Sequence, residues 1–580
     1  MLFPPELREL LTRPGSVRSV YKSGPATQAA VACGLLALGR NVVLVVPGEA
    51  ELSVLRSLLE LMRPGGGAGL AAAPGEGAWS VLPSLPAGRA EARTWTARWA
   101  ALYGLAFGRG PRGALLTVDN LLVRWPTPEV LAGCSLEVAK GQDLPPGKLL
   151  DQLAAWGYER VRMVTRPGEA ALRGDILDVH PAGCDEPLRL EFFGDTLDDL
   201  RSFDPATQRS RQEVARAVLL PASPSPALPE LLGQAAEKWK RHKTVGELSP
   251  QALEELTRLA ESGGAVHPGL YYPDASLLAD WLPRDAVWLL CGAGQLRTRL
   301  EEAEWDWAQW LEEEWRAGSR RWPRGALIQT AEGARKSWVD RSQVLFEDLT
   351  MGSERKGLDL PERALHEFTD LFWKPEHKER PWQSLVQALK AWERERPQVL
   401  LSFRSEGARK KFLTLAGQEG VLPATAYQPD TRGLFALVSP LRKGFELGWS
   451  GALVLAEDLL SPRPAESRAG RDKAFKGLAE HEDLTPDDLL VHRDWGVCRF
   501  DALTRLTVGS VTGDYLLLRF AGDDRLYLPV DRMNLVQRYK GPDGAVPALD
   551  RLGGASFART KGRVRKALER VAQELVEMYA

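Results

Sequence analysis

Cysteine is scarce in this sequence of 580 residues: Cys33, Cys134, Cys184, Cys291 and Cys498 are odd in number, scattered and without a Cys-X-X-Cys pair. That excludes a disulfide framework and a cysteine zinc site, and it predicts a protein of the reducing cytoplasm. An excess of charge is also missing. With a net charge of −2 and a pI near 6.5, no general positive field coats nucleic acid, so any basic contact has to be local. No apolar run reaches the ~18 residues of a membrane span, and Met1-Leu2-Phe3-Pro4-Pro5-Glu6 is not a basic start leading into an apolar core. The expectation is a soluble, unexported chain with no membrane partner.

What is present divides into several units, since single cores rarely grow beyond ~250–300 residues. Lys22-Ser23-Gly24-Pro25-Ala26-Thr27 precedes an Ala-rich helical stretch, Gln28 to Leu38, and Asn41 to Pro47 is a continuous apolar run suited to a buried parallel strand. A helicase-like α/β domain carries its phosphate loop here. That chemistry needs glycines, a lysine for the phosphates and a Ser/Thr for magnesium, and Lys22 and Thr27 stand in the wrong order. The expectation is a degenerate scaffold domain with no catalytic residues, cofactor or metal. Gly113 to Val118 and Ala286 to Leu290 read as further buried strands, so this domain occupies residues 1–125 and resumes at 215–345. Trp95, Trp99 and Tyr103 read as the core face of a helix. Trp305, Trp307, Trp310, Trp315 and Trp322 lie among glutamates that repel phosphate, which favours a partly buried helix over a base-stacking platform.

Residues 346–460 read as a small α/β domain with strands at Pro397 to Phe403, Leu434 to Val438 and Ala452 to Ala456. Its ending Glu457-Asp458 resembles a Walker-B tail in outline only, and without a phosphate loop it is structural. Residues 461–483, charged and proline-broken, read as a flexible linker.

Two stretches carry more. Arg173-Gly174-Asp175, Arg189 to Asp195 and Phe203 to Arg209 lie on a meander of three strands, and alternation puts Leu188, Leu190 and Phe192 in the core and Arg189, Glu191 and Phe193 on the outer face. These pieces, within residues 126–214, resemble the UvrA-binding domain shared by UvrB and the transcription-repair coupling factors. The resemblance implies a UvrA surface at Arg173, Arg189 and Phe193: two guanidinium forks beside an aromatic anchor. The bland alternative pairs the arginines locally with Glu191 or Asp195. UvrB also has a long damage-probing hairpin, and Pro83 to Arg112 leaves no room for one.

Residues 484–545 read as a compact β module, with strands at Val497 to Leu506, Asp514 to Phe520 and Arg525 to Val530, whose faces Leu516/Leu518/Phe520 and Leu526/Leu528/Val530 bury each other. Gly513-Asp514-Tyr515-Leu516, Arg525 to Asp531 and Leu552-Gly553-Gly554 resemble the RNA-polymerase-interacting module of the same coupling factors, which is similar to CarD-type regulators and implies an SH3/Tudor-like barrel. The resemblance places the contact with the polymerase β subunit at Leu503, Arg505, Leu506 and Val508. Residues 546–580 form a helix pattern, and its basic half (Arg559, Lys561, Arg563, Arg565) either contacts DNA or leads into a further domain; the sequence supports both readings equally.

The order of units thus looks like the N-terminal half of a transcription-repair coupling factor. The family's ATP- and magnesium-dependent translocase, its main hold on double-stranded DNA, is expected beyond Ala580. The expected function is an adaptor between stalled RNA polymerase and UvrA. The alternatives are a CarD-like transcription regulator or a UvrB-like damage-verification protein.

Overall fold

The computed structural model describes residues 17–62, 79–88, 92–108, 110–184, 186–262, 264–347, 357–365, 381–428, 431–460, 487–492, 495–508, 511–522, 524–529, 536–538 and 549–550. The expected linker, the Leu552-Gly553-Gly554 block and the C-terminal helix with Arg559, Lys561, Arg563 and Arg565 lie outside these residues. The chain forms two compact units, residues 1–462 and 463–580.

In the first unit, Val42–Val46, Gly113–Thr117 and Val287–Cys291 are apolar at nearly every position and buried throughout, as strands covered on both faces must be. They sit inside a seven-stranded parallel sheet in the order Gly357–Asp359, Val17–Tyr21, Ser342–Glu347, Val287–Cys291, Val42–Val46, Gly113–Thr117, Trp79–Leu82. Residues 287–347 therefore rejoin the sheet begun by residues 17–117. A second, mixed sheet of five strands runs Glu362–Leu365, Gly444–Leu447, Ala452–Ala456, Gln398–Phe403, Gly433–Val438. Only Leu360 and Pro361 separate the strands that the chain contributes to the two sheets.

The Ala-rich helix, Pro25–Ala37, lies in the core between these sheets. Its Ala26, Ala29, Ala30, Val31, Ala32 and Leu35 pack in one cluster with Leu44 and Leu289 of the first sheet and Phe445 and Val454 of the second. Most of its positions are buried and apolar, with only Pro25, Gln28, Cys33, Leu36 and Ala37 reaching solvent, and the small size of the alanines lets two sheets approach.

The insertion enters and leaves through one ladder, Leu136–Ala139 paired antiparallel with Arg216–Leu219. Beyond it the expected three-stranded meander is a six-stranded sheet: Ser210–Glu213, Thr196–Phe203, Leu188–Phe193, Ile176–Val179, Glu169–Arg173, Glu159–Arg160. Arg173-Gly174-Asp175 is the tight turn of a hairpin between Glu169–Arg173 and Ile176–Val179, and the Gly174 φ of 59° is the left-handed region that glycine enters freely. The outermost strands were invisible because Glu159–Arg160 and Ser210–Glu213 are fully exposed and polar, with no alternation to read. Leu188, Leu190 and Phe192 form the core with Leu149 and Leu153 of the helix Pro146–Ala155.

In the second unit five antiparallel strands run in the order Arg525–Pro529, Val511–Arg519, Gly496–Val508, Leu489–His492, Val536–Arg538. Leu490, Cys498, Phe500, Leu516, Leu518, Phe520, Leu528 and Val536 form their core.

Candidate protein-interaction sites

On the inserted sheet the guanidiniums of Arg173 and Arg189 converge on one carboxylate. Asp178 stands opposite Arg189 in the ladder, has no exposed surface, and accepts from Arg189 Nε at 2.8 Å and Nη2 at 3.0 Å while also pairing with Arg173. The bidentate geometry fixes the plane of Arg189. That side chain, 15 % exposed, lies over the Phe203 ring at 4.8 Å and donates from Nη1 to the Gln208 carbonyl at 3.3 Å. Hydrogen bonding to Asp178 raises the Arg189 pKa above its ordinary value, against a smaller opposing effect of burial. The arginine stays charged.

The Phe203 to Arg209 segment supports this arrangement. Asp204 accepts from the backbone N–H groups of Ala206 and Thr207, and those bonds, followed by its pairing with Arg211, hold its carboxyl below the usual range. The turn ends at Gln208, in left-handed backbone at φ 60°, whose amide Nε2 donates to the Val164 and Pro205 carbonyls. This leaves the Gln208 carbonyl free to receive Arg189. No local pattern marks Asp178, Phe203 or Gln208 as positioning residues, because each acts across strands whose register is set by the fold.

The arginines thus pair locally, but with Asp178 in place of Glu191 or Asp195, and Arg189, expected on the outer face, turns its fork inward because the carboxylate it pairs with is buried. Arg173 keeps about half its surface in solvent. Phe193, 85 % exposed, stands at the end of the Arg189 strand, about 13 Å along it at ~3.3 Å per residue. A large aromatic ring held in water beside an organised cationic pair is a candidate anchor for another protein.

The second candidate is a ribbon. Leu489–His492 covers only Gly496 to Arg499 of the Gly496–Val508 strand, and Arg525–Pro529 covers only Tyr515 to Arg519 of its partner. Between these limits and the turn, the two strands pair only with each other among the described residues, with Leu503 opposite Leu516, Arg505 opposite Asp514, Leu506 opposite Gly513 and Val508 opposite Val511. A bulge between Phe500 and Ala502 marks where the ribbon leaves the sheet, a position at which bulges bend strands. Unpaired backbone along such an edge is a template for another strand.

Comparison with known proteins covers both stretches. Residues 136–224 match the UvrB interaction domain, and residues 484–540 match the CarD-like/TRCF RID domain. The chain is 29 % identical over 505 residues to the transcription-repair-coupling factor of Escherichia coli (strain K12), 28 % over 526 to that of Myxococcus xanthus and 30 % over 491 to that of Haemophilus influenzae. These alignments cover 81, 84 and 80 % of this chain and 41, 42 and 41 % of the relatives, so the chain spans about two-fifths of the length of the proteins it resembles.

Proposed function

We propose that this chain, which resembles the N-terminal region of transcription-repair-coupling factors, acts as the adaptor part of such a factor, holding RNA polymerase with one unit and UvrA with the other. The observation that carries the reading is the presence on one chain of both interaction domains, each with a feature suited to docking.

For UvrA, Phe193 supplies the anchor and the half-exposed Arg173 supplies charge for a carboxylate-bearing partner surface, while Arg189, its fork turned in on Asp178, holds the Asp178 carboxylate in place. Since Phe193 is exposed in this chain, binding needs no nucleotide. For polymerase, the free edge of Leu503 to Val508 accepts a strand of the β subunit, main-chain hydrogen bonds giving affinity and alternate side chains specificity. Leu506, opposite Gly513 in the ribbon, is the position to test. Contact with double-stranded DNA belongs to the rest of such a factor.

The experiment is a binding assay of the chain against purified UvrA and the polymerase β-subunit lobe, with Arg189→Ala and Leu506→Arg as separate variants. Each substitution is expected to weaken its own partner at least about tenfold, the cost of losing one hot-spot contact, and to leave the other partner unaffected. Polymerase binding without UvrA binding would instead favour a CarD-like regulator.

A further inference from the structure

The order of the seven-stranded sheet places a ligand crevice at the carboxyl ends of Val17–Tyr21 and Ser342–Glu347, neighbouring strands from which the chain departs in opposite directions. In nucleotide-binding domains of this kind a phosphate sits there, against the N-terminus of the helix that follows the first strand. The residues present do not fit that role, because the seat is filled by a carboxylate of the same chain.

Thr27 N–H donates to Glu362 Oε2 at 2.7 Å and Ala26 N–H to Oε1 at 3.3 Å. The indole N–H of Trp449 donates to Thr27 Oγ1 at 3.1 Å, and Lys22, in left-handed backbone, pairs with Asp359 at 2.5 Å. Ser23, 8 % exposed in the same turn, has a hydroxyl without a hydrogen-bond partner among the described residues. Gly24 is the tightest point: a Cβ there would stand 2.4 Å from Glu362 Oε1. Its own φ of −99° and ψ of −176° suit any residue, so the neighbouring carboxylate, and not the turn, demands glycine.

We propose that Glu362 is a built-in oxyanion that takes the phosphate position of the first domain, closes it to nucleotide, and joins the two sheets across the Leu360-Pro361 link. A crevice of catalytic ancestry thereby serves as a joint. Exclusion rests on occupancy as well as on the missing lysine.

The test uses the full chain as Gly24→Ala, Glu362→Ala and the double variant, melted in chloride and in inorganic phosphate at matched ionic strength. Wild type is expected to gain only the small, non-saturating rise that a kosmotropic anion gives any folded protein. Gly24→Ala lowers Tm by several degrees in the wild-type background and costs little once Glu362 is alanine, because the atom it strikes is gone. Glu362→Ala is less stable than wild type and recovers saturably with phosphate, whereas the double variant, whose new Cβ occupies the seat, does not. Additive costs, saturable phosphate stabilisation of the wild type, or a Glu362→Ala protein that gains no more from phosphate than wild type would each overturn the proposal. Should Glu362→Ala fail to fold, Gly24→Ala alone decides: stability equal to wild type refutes an occupied seat.

Discussion

Asp178 has no surface in solvent and yet answers two guanidiniums, so with Arg189 turned in on it, its role is to set the direction in which the half-exposed Arg173 presents charge. Asp178→Asn keeps shape and a hydrogen-bond acceptor but removes the charge. We expect a stability loss of about 1–3 kcal/mol, the usual cost of weakening a charge-assisted buried bond, and at least tenfold weaker UvrA binding. Phe193→Ala separates the two effects: a ring 85 % exposed leaves urea unfolding within about 0.5 kcal/mol of wild type, while UvrA affinity falls. Titration of UvrA against each variant, with urea midpoints alongside, checks both; normal affinity in a destabilised Asp178→Asn protein would reduce Asp178 to a core residue.

Glu362 supplies a pH signature at the same scale. Burial raises its carboxyl above the ordinary range, and the donors at Thr27, Ala26 and Gly24 pull the other way with less effect. A carboxyl raised on folding contributes stability in full below its unfolded value of about 4.3 and loses that contribution as pH rises through the folded value. Relative to Glu362→Gln, which has nothing to titrate there, the wild type should lose stability across that window and hold a constant difference above it. Unfolding curves of both proteins from about pH 4 to pH 7 would show the step, and a pH-independent difference would contradict it.

Among elements, legibility followed burial pattern. The strands Val42–Val46, Gly113–Thr117 and Val287–Cys291 were readable because covered parallel strands are apolar almost throughout, and Phe193 was readable because strict alternation set it opposite Leu190 and Phe192. Charge partners were not: Asp178 meets Arg189 through register, and Glu362 meets Thr27 across 335 residues. Neither relation leaves a local trace. The Ala-rich helix was readable as a helix but not as the layer between two sheets, for which the sign was its run of small apolar residues with only Thr27 and Gln28 polar. Ala30→Leu tests that placement. Ala30 is 2 % exposed, and the added atoms should cost about 1–3 kcal/mol, read as a lower urea midpoint with an unchanged slope; an Ala30→Leu protein as stable as wild type would mean the layer has room to spare.

At the scale of the molecule, the two candidate surfaces belong to separate compact units, residues 1–462 and 463–580. Changes at well-separated sites without shared partners usually add. Combining Arg189→Ala with Leu506→Arg should therefore produce both binding losses, each equal in size to that of the single variant, in parallel titrations with UvrA and the polymerase lobe. A loss larger than either predicts would mean that one partner's site reports on the other.

The ladder of Leu136–Ala139 with Arg216–Leu219 has one more consequence. Leu136 and Leu219 face each other across it, and residues opposed in an antiparallel pair lie about 4.5–5.5 Å apart at their Cα atoms, a gap that a single β-turn spans. The inserted sheet is in this sense a cassette: its two ends meet, so it can be lifted out or grafted elsewhere without asking the host to stretch. Its packing still reaches the host, since Ala182 and Val218 lie in the host's core, so a graft has to refill those two positions though it need not bridge a gap.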